Sequence, residues 1–96
     1  MLRITVQQNA DSTTLQLEGR LIGLWVQELR RIWTNVRSAP GPDRVVISLT
    51  EITVVDAHGR GLLTEIWSAG AVLTGSGLLA KALIADVTAT PDDTLN

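Results

Sequence analysis

Apolar residues along this chain first recur every second position, then every third or fourth, and then switch between the two periods again. Leu2, Ile4 and Val6 alternate with Arg3, Thr5 and Gln7, and Leu15 and Leu17 alternate with Thr14, Gln16 and Glu18. A period of two predicts half-buried strands, and the turn chemistry of residues 9–12 makes the pair an antiparallel hairpin. Residues 19–23, Gly-Arg-Leu-Ile-Gly, break the pattern and leave room for a small third strand or bridge. From Leu24 the period lengthens. Trp25, Leu29, Ile32, Trp33 and Val36 predict a first helix over residues 24–37, with Gln27, Arg30, Arg31 and Asn35 turned outward. The Pro- and Gly-bearing stretch 38–43 ends it.

The middle of the chain organises the rest. Val45, Val46 and Ile47 open a β-branched run that reads as a buried strand. Leu62 with Ile66, and Leu63 with Trp67, are i,i+4 pairs that predict a second helix. The polar turn Asp-Ala-His-Gly-Arg-Gly at 56–61 joins the two, and Asp56 stands where an N-cap would. Gly70 supplies the helix stop, and residues 71–74 predict another short buried strand. Ser76 is placed to cap a last helix bearing Leu78, Leu79, Ala82, Leu83 and Ile84. Residues 85–96 show no periodicity. The expectation is one domain over 1–86 with a frayed tail over 87–96. Its order is β-β-(β)-α-β-α-β-α: an α/β fold with an N-terminal antiparallel hairpin, later strands parallel, and helices mainly on one face of a mixed sheet.

Composition narrows the function classes. Ninety-six residues, 45% of them hydrophobic, suffice for one domain with a modest core. The three tryptophans, Trp25, Trp33 and Trp67, supply all the aromatic volume and sit at apolar helical positions. They are expected in the core, with Trp25 the most exposed. The absence of cysteine excludes disulfides, thiolate nucleophiles and Cys-based metal sites. The start of the chain lacks the apolar core of a signal peptide, and no apolar run approaches the roughly 18 residues that span a bilayer. A cytoplasmic location is expected. Net charge is −2, and Arg30, Arg31 and Arg37 are interleaved with Glu28 and apolar residues. That pattern predicts a solvated helix face, not a nucleic-acid site.

Catalytic chemistry has little to stand on. The single histidine, His58, has Asp56 as its nearest carboxylate. Residues i and i+2 at a helix start diverge, and no Ser or Thr neighbours His58, so no base–nucleophile pair is expected. One histidine and one carboxylate make half a metal site. The glycines at 59, 61, 70, 75 and 77 fit neither phosphate-loop nor dinucleotide spacing. The expectation is no catalytic residue, no metal and no cofactor. A hydrolase or transferase built on Asp56 and His58 is the weakest reading. The helix N-terminus itself remains a natural place for anion or partner recognition.

Two stretches carry a resemblance. LQLEGRLIGLWVQELRRIW, residues 15–33, resembles the start of STAS domains, the family named for sulphate transporters and anti-sigma-factor antagonists. RVVISLTEITVVDAHGRGLLTEIWSAGAVLTGSG, residues 44–77, resembles the family's centre. The match runs over roughly residues 1–86. In bacterial antagonists of this family the turn reads Asp-Ser-Ser/Thr-Gly, and its second hydroxyl residue is phosphorylated by a partner anti-sigma kinase, which is thereby released. Here Asp56 keeps the aspartate and Gly59 the glycine. Ala57 replaces the first Ser, His58 stands at the phosphoacceptor position, and Arg60 stands where an aliphatic residue is usual.

The resemblance implies a non-enzymatic interaction module of the anti-sigma-factor-antagonist type, without the usual phosphorylatable serine. Its partner would be an anti-sigma factor or kinase-like protein, or a transporter component, bound through Asp56, Ala57, His58, Gly59 and Arg60 and the helix that follows. A small-ligand or nucleotide/anion-binding module, or the cytosolic STAS subunit of a transport system, is the alternative. An unpaired sheet edge gives a physical motive for a homodimer.

Overall fold

The computed structural model describes residues 1–38 and 44–89. Strands β1 (Leu2–Gln8), β2 (Ser12–Leu21), β3 (Arg44–Val55) and β4 (Val72–Thr74) form one sheet in the order β1-β2-β3-β4. Helix α1 (Leu24–Ser38) lies between β2 and β3 in sequence, α2 (Ala57–Ser68) between β3 and β4, and α3 (Leu78–Thr88) follows β4. The β1–β2 pair is antiparallel, while β3 is parallel to β2 and β4 parallel to β3. The expected small third strand is absent. Arg20 and Leu21 instead continue β2, because Gly19 at φ 104° lets the strand pass where a Cβ would lie 2.4 Å from the Met1 carbonyl oxygen.

One face of the sheet holds the core. Thr13, Leu15, Leu17 and Leu21 of β2 and Val45, Ile47 and Leu49 of β3 are buried, whereas Thr14, Gln16 and Glu18 on the other face are half-buried. The helices close the buried face with Val26, Leu29 and Trp33 from α1, Leu62, Leu63 and Ile66 from α2, and Ala80, Leu83 and Val87 from α3. β3 takes 12 residues to run beside 10 of β2, with irregularities opposite Gln16/Glu18 and Gly19/Arg20. Leu49, Ile52 and Val55 therefore return to the core face at intervals of three where an ideal strand would use two.

Several expectations are corrected at the helix margins. Trp67 is 36% exposed, because the buried stripe of α2 runs through Gly59, Leu62, Leu63 and Ile66 and leaves position 67 on its flank. Ser76 does not cap α3. Gly77 holds that position with no side-chain cap, and the Ser76 N–H donates to Thr50 Oγ1 at 3.2 Å. The inward stripe of α3 is Ala80, Leu83 and Val87, so Leu78 and Leu79 are exposed and Ala82 faces solvent. The helix continues to Thr88 and buries Val87, two residues into the stretch expected to fray. Residues 90–96 of that stretch lie outside the described residues.

The stop of α2 follows its sequence signal. Gly70, at φ 105°, donates its N–H to the Trp67 carbonyl at 3.0 Å, and Ala71 donates to the Ile66 carbonyl at 3.3 Å. This double bond pattern satisfies the last carbonyls of the helix and turns the chain into β4.

Candidate functional site

The turn at 56–60 is built from the strand end behind it. The Asp56 N–H donates to the Leu21 carbonyl at 3.3 Å, extending the β2–β3 pairing by one bond. With backbone angles of −90° and −178°, Asp56 then points its carboxylate along α2. Oδ1 accepts the Gly59 N–H at 2.7 Å, the N-cap bond expected from the sequence. Oδ2 accepts the Gly23 N–H at 3.0 Å, from the turn between β2 and α1. One carboxylate thus ties together the starts of two helices. The Gly59 amide first and the Gly23 amide second hold its acid below the ordinary carboxylate range.

Glycine is required at 59 for space. A Cβ there would lie 2.6 Å from the Leu21 carbonyl oxygen and 2.9 Å from Val55 Cγ1. The start of α2 rests directly on the end of β2, and the residue is buried. Gly23, at φ 55°, allows the left-handed turn that aims its N–H at Asp56.

The five sequence-selected residues fall into two groups. Ala57, His58 and Arg60 are exposed, Asp56 is half-buried and engaged with backbone amides, and Gly59 is buried. Arg60 is not a free cation: its Nε lies 3.6 Å from Asp86 Oδ2 on α3, in a pair that is half exposed on both sides. The His58 imidazole is not a hydrogen-bond partner of the Asp56 carboxylate, whose two oxygens serve the backbone amides of Gly59 and Gly23, with a lesser contribution from the His58 amide. No base–orienter pair is formed there. Among the described residues no group of three or more His, Cys, Asp or Glu side chains could hold a metal ion, and no helix is long and apolar enough to cross a membrane.

The structure adds residues the sequence did not single out. His58 lines one side of an open groove of about 540 Å³, and Gly23, Leu24, Val26, Gln27 and Arg30 line the rest. Leu24 is 78% exposed and Trp25 37%. At the far end of the groove Arg30 binds Glu65 through two bonds, of 2.7 Å and 3.1 Å, which join α1 to α2. That contact draws the Glu65 acid down as well. The available signal was Leu24, an apolar residue at the first position of α1 and outside the Val26, Leu29, Trp33 stripe.

No family model and no curated protein matches this chain by sequence. Solved structures do match it. An anti-sigma factor antagonist from Mycobacterium paratuberculosis superposes with a TM-score of 0.77 at 15% identity, covering 93% of this chain and 79% of that one. An antisigma-factor antagonist STAS domain from Rhodobacter sphaeroides gives 0.56 at 16% identity, covering 82% and 89%. Mglu gives 0.60 at 20% identity over 77% of this chain and 19% of its own. At such identities the likeness is one of fold.

Proposed function

We propose that this chain, which carries the fold of a STAS domain, is a non-enzymatic cytoplasmic module that binds a protein partner at the start of α2. The observation behind this reading is the Asp56 clamp. It fixes the starts of α1 and α2 together, so that exposed His58 and Leu24 line one groove, with exposed Ala57 and Trp25 next to them in the chain. An exposed apolar pair bordered by polar groups on a rigid frame suits protein recognition. Gly59 and Asp56 would support that surface from behind, while Ala57, His58 and Arg60 make contact. The likeness to two antagonist structures supports an anti-sigma factor or kinase-like protein as the partner, with a transporter component as the alternative.

Control differs from that of a serine-switched antagonist. Residues 57–60 offer no hydroxyl to a Ser/Thr kinase, so binding is constitutive or regulated on the partner's side. The nucleotide or anion reading is weaker, because the Asp56 carboxylate already occupies the α2 N-terminus and would repel a second anion.

Affinity capture from the native cell, quantified by mass spectrometry, tests the proposal with wild type, Leu24→Asp, His58→Glu and a distant Thr14→Glu control as baits. A protein retained by wild type and control and lost from the two site variants supports it. Identical profiles for all four baits would remove this surface from consideration. A thermal-shift panel of nucleotides and anions that stabilises wild type would favour the ligand-binding alternative.

A further inference from the structure

The free edge of β1 has a hydrogen-bonding phase that can be read from its two ends. The Arg20 N–H donates to the Met1 carbonyl at 2.8 Å, and the Asn9 N–H donates to the Ser12 carbonyl at 2.8 Å. Between these bonds the register is unbroken, from Leu2 opposite Gly19 to Gln8 opposite Thr13. In an antiparallel ladder, hydrogen-bonded and non-hydrogen-bonded pairs alternate. Arg3, Thr5 and Gln7 therefore bond inward to β2, and Leu2, Ile4, Val6 and Gln8 turn their N–H and C=O groups toward the open edge. Among the described residues nothing pairs with them.

The same even-numbered residues face the helix side of the sheet, and their cover thins along the strand. Leu2 is buried, Ile4 half-buried and Val6 43% exposed. Natural edge strands are commonly short, bulged, or defended by Lys or Pro. β4, at the opposite edge, is three residues long. β1 is seven residues long with no bulge, Lys or Pro, and Arg3 is its only charge.

We infer that β1 pairs with β1 of a second copy, about a two-fold axis through Thr5 and normal to the sheet, giving a continuous eight-stranded sheet. This is the register that uses every free group of the edge. It sets Leu2 against Gln8 and Ile4 against Val6 as hydrogen-bonded pairs, with the helices of both copies on one face. Ile4 and Val6 then cover each other's exposed surface, and Arg3 meets Gln7, so no like charges oppose. Any register in which β1 slips by one residue sets inward-bonding residues against edge-facing ones and forms no ladder. One strand pair buries less than the roughly 1,200 Å² of a stable interface, so the dimer is weak and concentration-dependent. It is independent of the partner surface at α2, which it leaves open.

Sedimentation velocity over a concentration series tests the assembly. Wild type shifts from monomer toward dimer, while Val6→Pro and Val6→Lys stay monomeric with unchanged thermal melts. The proline is tolerated because the N–H it removes has no partner within the molecule. Cross-linking tests the register, since the chain has no cysteine of its own. Thr5→Cys brings two Cα atoms to about 4.5 Å across the axis, within disulfide range, and yields a covalent dimer on oxidation. Gln7→Cys leaves the two thiol-bearing residues about 14 Å apart along the strands and does not. A wild type that remains monomeric throughout overturns the inference. So do Val6 variants that dimerise like wild type, or cysteines at 5 and 7 that cross-link equally.

Discussion

Asp56 and Gly23 lie 33 residues apart in the chain, and Oδ2 of the first accepts the backbone N–H of the second at 3.0 Å. Because Oδ1 of the same carboxylate caps α2, removing its charge loosens two helix starts at once. Asp56→Asn keeps one acceptor oxygen but turns an amide N–H₂ toward the other backbone donor. Its melting temperature at neutral pH should fall below that of wild type. The Asp56 acid lies below its ordinary value of 3.8 in the folded protein. Its contribution is therefore complete above that value and lost as pH falls through the lower folded value. Thermal melts of wild type and variant should converge across that acid window, and a gap independent of pH would mean that the carboxylate charge is not what the variant removes.

Glycines 59 and 61 sit in the same helix and should respond in opposite directions to alanine. At 59 the new Cβ meets the Leu21 carbonyl oxygen at 2.6 Å, a backbone atom that cannot rotate away. Overpacking of this kind costs about 1–3 kcal/mol. At 61 nothing lies within 4 Å, and alanine should add about 0.5–1 kcal/mol through helix propensity. Urea melts of the two variants measure both signs.

Leu63 and Ile66 are fully buried between α2 and the sheet. Alanine at either should cost about 2–5 kcal/mol, a large share of the roughly 5–15 kcal/mol total of a typical domain. Trp67→Ala should cost less than either despite its larger side chain, since more than a third of the residue is in water. A loss at Trp67 equal to that at Ile66 would require a different phase for the helix.

The Arg30–Glu65 contact has good geometry, but both side chains are more than half exposed. A double-mutant cycle with Arg30→Ala and Glu65→Ala should return a coupling below about 1 kcal/mol, shrinking further in high salt. A salt-insensitive coupling of several kcal/mol would identify the pair as a structural lock between α1 and α2.

His58→Glu places a negative charge in the first turn of α2, where the helix dipole favours it. Stability should hold or rise by up to about 1 kcal/mol. If residues 57–60 form the contact surface, binding to a captured partner should nevertheless weaken, because a charge desolvated without a mate is costly. Thermal melts and calorimetric titration separate the two effects, and a variant that loses both together would mark His58 as structural.

The order of elements, the parallel and antiparallel pairings and the Asp56 cap were legible because each rests on local periodicity or on one turn. What was not legible depends on how elements meet. Trp67 shares a helical face with Leu63, but the width of the stripe that α2 buries is set by the sheet beneath it. On α3 the eye follows Leu78 and Leu79, whereas the buried positions are Ala80, Leu83 and Val87. Ala80 is too small to weigh in a hydrophobic pattern, and its value lies in close contact: a Cβ on Gly75 would meet the Ala80 Cβ at 2.8 Å. The second bond of Asp56, to Gly23, leaves no mark in sequence at all, because its donor is a backbone amide. Leu24 was readable as helix but not as surface, since only the Val26, Leu29, Trp33 phase of α1 reveals that it points away from the core.

The length of β3 fixes what can be changed near the turn. Leu49, Ile52 and Val55 reach the core by steps of three, so the strand carries two surplus residues relative to β2, and together they preserve which side each later residue faces. Deleting one residue between 49 and 55 would heal one of the two irregularities and draw the end of β3 back by about 3.3 Å relative to β2. Asp56 would then fall short of the Leu21 carbonyl that its N–H now reaches. Its cap on Gly59 is local and would travel with the turn, but its bond to Gly23 would be lost, and no substitution at 57–60 could restore it. Side chains on the rim can therefore vary freely, but the count of residues leading to them cannot: a grafted or redesigned recognition turn on this scaffold must begin after Val55 and leave the spacing behind it untouched.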